Sequence, residues 1–386
     1  MFRISRFFLF CLNVLAVMLV MGIGSRAINA QEVTPMPTIS LATLHTRDLQ
    51  IDLGDGWTSS AQFTWPAEGA GPFPTVILFP PSGPQDMDVT QQYTANGPIV
   101  AQNFRMIAQQ LGLKGIAVLR FDKRGVRNNA VADNAQAGKS APRGREVADG
   151  ESVIAAVLEQ PEVDAKHLYL FGWSDGTMTA TQLAVFHPEL AGLILQGAPN
   201  FSSLKEGLAY QMLQESVGYY QSALDANKDG KLSPEELQKL PAYGIAAWIS
   251  GSFYDSTSTP DHPVLTSALD TNGDGLIDIQ SELVPYLQSQ IETIAANNPD
   301  QNVPMTADVL ARLQVPVLLL QGRNDGAVPY IDAETIAQAL GSRATLKIYP
   351  GLGHGLDPVS NPALDDFGAI SQQPIDDMIA WILSAK

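Results

Sequence analysis

Hydrophobic positions along this chain follow two periods, and the switching between them predicts its elements. Residues 48–53 and 59–65 alternate apolar with polar around Gly54-Asp55-Gly56, the pattern of a hairpin with a glycine-rich turn. Thr75-Val76-Ile77-Leu78-Phe79 has no polar face at all, as expected of a strand buried on both sides. Helical periodicity then covers 99–111, 146–158, 177–186, 331–340 and 375–384. Short apolar runs at 116–121, 167–171, 193–196, 315–321 and 345–349 read as strands. Strands alternating with helices predict an α/β fold: a mainly parallel sheet covered on both faces, with the opening hairpin as an antiparallel edge.

The rhythm breaks between residues 200 and 308. That interval is too long for a loop inside a compact domain, so it should carry its own structure. Helical stretches at 208–224 and 234–240 make it a helix-rich cap inserted into a core formed by 48–199 and 309–386. Residues 1–30 read as an export signal. Arg3 and Arg6 precede an almost wholly apolar run over 7–21, and small residues stand at Ser25 and Ala27, with a second cleavage point after Ala30. An uncleaved N-terminal membrane anchor is the alternative. Residues 31–47, with Pro35 and Pro37, form an exposed lead-in.

Charge narrows the partners. The chain carries 40 acidic and 23 basic residues, a net charge of -17, which repels nucleic acid and anionic membranes. No protein partner is evident. Its one cysteine, Cys11, lies in the export segment, so a processed chain has neither disulfides nor a cysteine nucleophile.

Two loops of the cap combine acidic residues with glycine. Asp225-Ala226-Asn227-Lys228-Asp229-Gly230-Lys231-Leu232-Ser233-Pro234-Glu235-Glu236 matches the twelve-residue EF-hand calcium loop. Asp225, Asn227 and Asp229 offer side-chain oxygens and Lys231 its carbonyl. Gly230 permits the sharp turn, and Glu236 can bind through both oxygens. A second loop places Asp270, Asn272, Asp274, Leu276 and Asp278 at the corresponding positions, with Ile277 opposite Leu232 if the loops pair. Its twelfth residue is Ser281, and Glu282 comes one residue late. The expected cofactor is therefore structural Ca2+, with no organic cofactor.

The chemistry-bearing motifs lie in the core. Gly172-Trp173-Ser174-Asp175-Gly176 follows one predicted strand and opens a helix, the setting in which a serine is held exposed on a cramped turn. Asp325 stands at the tip of the 315–321 strand, and His354 in the glycine-rich loop after 345–349. A serine hydroxyl needs a base within reach, and that base needs an acid to fix its tautomer. Asp357, the other nearby acid, lies too close to His354 in sequence to sit on the preceding strand's loop. An oxyanion hole would take the N–H of Asp175 and one N–H from the loop after Phe79. Pro80 and Pro81 have none to give, which leaves Ser82, then Gly83.

Serine, aspartate and histidine in this order, each at the C-terminal end of a strand, resemble the α/β-hydrolase superfamily from about residue 48 to the C-terminus, outside the insertion. Pro81-Ser82-Gly83-Pro84-Gln85-Asp86 and Phe121-Asp122-Lys123-Arg124-Gly125-Val126 resemble its esterase and dienelactone-hydrolase-like branch. The resemblance implies Ser174 as nucleophile, His354 as general base and Asp325 as its orienting acid. Asp122 and Arg124, common near the site in this family, are read as a structural hydrogen-bonded pair. The expected activity is that of an exported serine hydrolase acting on small carboxylic esters. A serine peptidase of the prolyl-oligopeptidase type is one alternative, although Thr177 stands where that elbow often has another glycine. A non-catalytic calcium-dependent binding protein is the other.

Overall fold

The computed structural model describes residues 44–93, 97–127, 130–139, 143–259, 262–298 and 307–384. The export segment and most of the lead-in fall outside these. Eight strands form one sheet: β1 (Leu44–Asp52), β2 (Thr58–Pro66), β3 (Phe73–Phe79), β4 (Ala117–Phe121), β5 (Val163–Trp173), β6 (Gly192–Gln196), β7 (Val317–Gly322) and β8 (Ala344–Tyr349). Their spatial order is β1-β2-β4-β3-β5-β6-β7-β8. Every pairing is parallel except those of β2, which runs against both β1 and β4. Gly54-Asp55-Gly56 closes the β1–β2 hairpin with three positive φ angles, the conformation glycine tolerates best. β1 starts at Leu44, so the last residues assigned to the lead-in belong to the sheet.

The central strands alternate between two cores. Ile77 and Phe79 of β3 face one, with Val153, Ile154 and Val157 of α2 (Arg143–Leu158), Leu183 of α3 (Asp175–Phe186) and Ile336 of α6 (Tyr330–Leu340). Val76 and Leu78 face the other, with Phe104 and Ile107 of α1 (Asn103–Gly112) and Met378 and Ile382 of α7 (Gln372–Ser384). This is why β3 has no polar side. The expected helix over 99–111 is shorter than its periodicity suggested. Ile99–Gln102 is a strand paired with Thr90–Gln92, because that segment finds a partner ladder.

Between β6 and β7 the chain builds a third core of its own around Leu208, Tyr220, Leu232, Phe253, Leu269, Ile277 and Leu287. Its helical parts include α4 (Leu204–Ala209), which continues through π-helical turns to Leu224, and α5 (Val284–Asn297). It touches the loop that follows β7 directly. Tyr210 donates its hydroxyl to the carbonyl of Asp325 at 2.8 Å, and Gln211 donates to that of Ala327 at 3.0 Å.

Candidate active site

Ser174 sits on the turn between β5 and α3 with φ 54 and ψ -120, a strained conformation for a residue with a Cβ. Its N–H donates to Gln196 at 2.8 Å, and its carbonyl accepts from Thr177 N–H at 2.9 Å. The two flanking glycines are sterically required. A Cβ on Gly172 would lie 2.5 Å from the Gly176 carbonyl oxygen, and one on Gly176 would lie 2.3 Å from that of Phe79. The elbow thus presses directly against the loop that leaves β3.

His354 and Asp325 come together as their strand-end positions suggested. His354 Nδ1 lies 2.8 Å from Asp325 Oδ2, with both residues almost fully buried. The Asp325 carboxylate also accepts the N–H groups of Ala327 and Val328 and the amide of Gln321. Asp357 is buried nearby but makes no hydrogen bond to His354, and burial first, then the charge of Asp366, pushes its carboxyl up to about 6.

Sequence reasoning missed three features of this arrangement. Asp365, fully buried, accepts the N–H of His354 at 2.6 Å and that of Gly326 at 2.9 Å, so one carboxylate ties the His354 loop to the Asp325 loop. Trp173 and Gln196 both donate to the His354 carbonyl. Gly197, at φ +57, backs the imidazole so closely that a Cβ would lie 2.8 Å from two ring atoms. Only Gly197 was findable, as a glycine at the end of β6.

On the other side of Ser174, Gly83 has φ +82 in the loop that follows Pro80-Pro81. Among the described residues, neither Ser82 nor Gly83 gives its N–H to another protein group. Asp122 and Arg124 do not pair with each other. Arg124 forks onto Asp149 and also reaches Asp55, while Asp122 accepts the N–H of Met87. Both residues lie in the turn that follows β4, which sends the two side chains to different neighbours.

The acidic loops of the insertion pair as an antiparallel ladder, with Leu232 opposite Ile277 and Lys231 opposite Asp278. Their backbones repeat each other. Lys228 and Gly230 in one and Gly273 and Gly275 in the other have positive φ. Asp225 accepts from Asp229 and Gly230, as Asp270 does from Asp274 and Gly275. Glu236 holds the N–H groups of Ala226 and Ser233, and Glu282 those of Thr271 and Asp278. Glu282, one residue late in sequence, therefore occupies the position of Glu236, because a π-helical turn over Ile279–Leu283 absorbs the extra residue. Asp278 caps that turn, accepting from Gln280 and Ser281. Among the described residues, no three His, Cys, Asp or Glu side chains lie close enough to hold a metal by themselves. The donor set is all oxygen, mixing carboxylates with Asn227, Asn272 and main-chain carbonyls, which suits a hard cation.

The chain matches the model of the alpha/beta hydrolase fold family over residues 76–356. Esterase EstD of Thermotoga maritima is 26% identical over 323 residues, covering 82% of this chain and 63% of the esterase. The chain thus spans less than two thirds of that relative's length. Among solved structures, a hypothetical protein of Pseudomonas aeruginosa aligns with a TM-score of 0.53 at 12% identity, covering 94% of this chain and all of that one. A dienelactone hydrolase-like promiscuous phosphotriesterase from metagenomic libraries aligns with a TM-score of 0.47 at 13% identity, covering 89% and 99%. Identities this low bear on the fold alone. The sheet order, the family match and the serine turn leading into α3 agree, and the chain belongs to the α/β-hydrolase fold family.

Proposed function

We propose that this protein is an exported serine hydrolase that cleaves small carboxylic esters through an acyl-enzyme. The observation that carries the reading is the 2.8 Å contact between His354 Nδ1 and Asp325, tied to a serine held at positive φ through Gln196, which accepts the Ser174 N–H and donates to the His354 carbonyl. With Nδ1 engaged by Asp325, Nε2 is the ring nitrogen left for the Ser174 hydroxyl. Ser174 Oγ attacks the ester carbonyl while His354 takes its proton. The tetrahedral oxyanion is met by the N–H of Asp175 and that of Ser82 or Gly83. Collapse expels the alcohol, which leaves with the proton from His354. Water, deprotonated by the same imidazole, then attacks the acyl-enzyme and releases the carboxylic acid. An esterase among the chain's relatives supports this substrate class.

The expected result is covalent labelling of the protein by a fluorophosphonate, abolished in Ser174→Ala. Turnover of p-nitrophenyl esters but not of peptide amides separates an esterase from a peptidase. An unlabelled wild-type protein would sink the reading.

Calcium has a structural role in the same proposal. Asp225, Asn227, Asp229, the Lys231 carbonyl and Glu236 would hold one ion. Asp270, Asn272, Asp274, the Leu276 carbonyl and Glu282 would hold a second. When bound, it links strands and helices of the insertion and raises its stability by mass action. Export follows from the 1–30 segment and is checked by N-terminal sequencing of the protein recovered outside the cytoplasm.

A further inference from the structure

Behind Ser174 lies a buried group of two cations and two anions that the reaction scheme does not use. Lys123 Nζ is 2.8 Å from Glu146 and 3.8 Å from Asp175. Arg143 makes ion pairs with both Glu146 and Asp175, and its guanidinium also reaches the Asp175 carbonyl and the Thr179 hydroxyl. All four side chains are less than a fifth exposed. The group is electrically balanced, and its members come from three separate places: the loop after β4, the first turn of α2, and the residue after the candidate nucleophile.

Lys123 is distinctive within it, because it also holds the opposite wall of the site. Its Nζ donates to the Pro81 carbonyl at 3.3 Å, and its main-chain N–H donates to the Gln85 carbonyl at 2.9 Å. Gln85 in turn donates to the Ser82 carbonyl. The loop carrying Ser82 and Gly83 is therefore fastened at both ends by one residue. The same residue's ammonium faces the carboxylate of Asp175, whose N–H is the other candidate donor.

We propose that Lys123 is a positioning residue for the oxyanion hole: it sets the separation of the two donor walls and, with Arg143, neutralises the Asp175 carboxylate beside the site where negative charge develops. This rests on the serine-hydrolase reading. An unbalanced carboxylate there would oppose the oxyanion, and a loosened Pro81–Gln85 loop would blunt the preorganisation on which such sites depend. Burial works against the Lys123 charge, but Glu146 and Asp175 outweigh it and raise its pKa, so it stays an ammonium at working pH.

The test compares wild type with Lys123→Met, Lys123→Arg and the double variant Lys123→Met/Glu146→Gln. The double variant keeps the group balanced while still lacking the Pro81 tether. With p-nitrophenyl butyrate, Lys123→Met should lose about 30-fold in kcat, less than the loss of a whole donor, with KM within about twofold. A trifluoromethyl ketone, which forms the tetrahedral adduct, should bind weaker by the same factor. Lys123→Arg should recover part of the loss, and the double variant should regain thermal stability but only part of kcat, because charge balance returns without the tether. A double variant with wild-type kcat, or a Lys123→Met enzyme that loses stability alone, would overturn the proposal. If the wild-type protein takes no fluorophosphonate at Ser174, the underlying reading falls as well. Labelling of wild type with unchanged kinetics in Lys123→Met removes only the role of Lys123.

Discussion

The candidate active-site corner and the paired acidic loops both concentrate charge, and they satisfy it in opposite ways. At the corner, partners come from far along the chain: His354 with Asp325, Lys123 with Asp175, Arg124 with Asp149. In the loops, most carboxylates are held by N–H groups two to five residues away or by the neighbouring helix start. The Lys231–Asp274 pair between the two loops is the main exception. The corner is therefore a product of the whole fold, whereas each loop is a local device that any scaffold could carry. Damage at the corner should appear mostly in chemistry, and damage in the loops mostly in stability.

The largest effect that probes this contrast is Asp325→Asn. An amide cannot hold His354 in the tautomer that leaves Nε2 free to accept a proton, and analogous changes cost about 10⁴-fold in kcat. The hydrogen bonds from Ala327 and Val328 end on Asp325 Oδ1, which the amide oxygen can replace. The expected outcome is a collapse of kcat with little change in thermal midpoint, measured by ester hydrolysis and calorimetry on the same samples. A large loss of stability with residual activity would mean that the corner is structural.

An intermediate effect tests the loops. Glu236→Gln and Glu282→Gln each weaken a carboxylate that faces two loop N–H groups. Calcium should raise the melting temperature of wild type, and a chelator should reverse that. Each variant should lose part of the rise, by similar amounts, while kcat stays close to wild type. A Glu282 variant that responds like wild type would show that the π-turn does not make the second loop equivalent to the first.

The same contrast explains what could be read from the sequence. The elbow at Ser174, the strand-end positions of Asp325 and His354, and the loop oxygens from Asp225 to Glu236 are all legible because they are local patterns in a fixed order. The strand at Ile99–Gln102 was hidden because its identity depends on Thr90–Gln92, to which it pairs. Asp365 and Lys123 were equally hidden, since their partners at Gly326, His354, Pro81 and Asp175 become neighbours only in the folded sheet. Glu282 looked misplaced because counting along a regular helix has no room for a π-turn. Asp122 and Arg124 looked like partners because they stand two residues apart with opposite charge, whereas the folded turn points them at different neighbours.

The smallest effect tests whether every buried charge at the corner is functional. Asp357 is 3% exposed, and its Oδ1 has no hydrogen-bond partner among the described residues. Burial, with Asp366 adding to it, pushes its carboxyl up to about 6. The folded protein thus holds this proton more tightly than the unfolded chain, whose carboxyl titrates near 4. The cost of burying the charge is absent below about pH 4, grows as pH rises through 6, and is complete above that. Asp357→Asn removes the charge while keeping the shape. It should stabilise the protein by about 1–2 kcal/mol at pH 8, a rise of a few degrees in melting temperature, and by nothing at pH 4. With Asp325 intact, kcat should hold. A gain independent of pH would locate the effect in packing, and a loss of activity would make Asp357 part of the site it only adjoins.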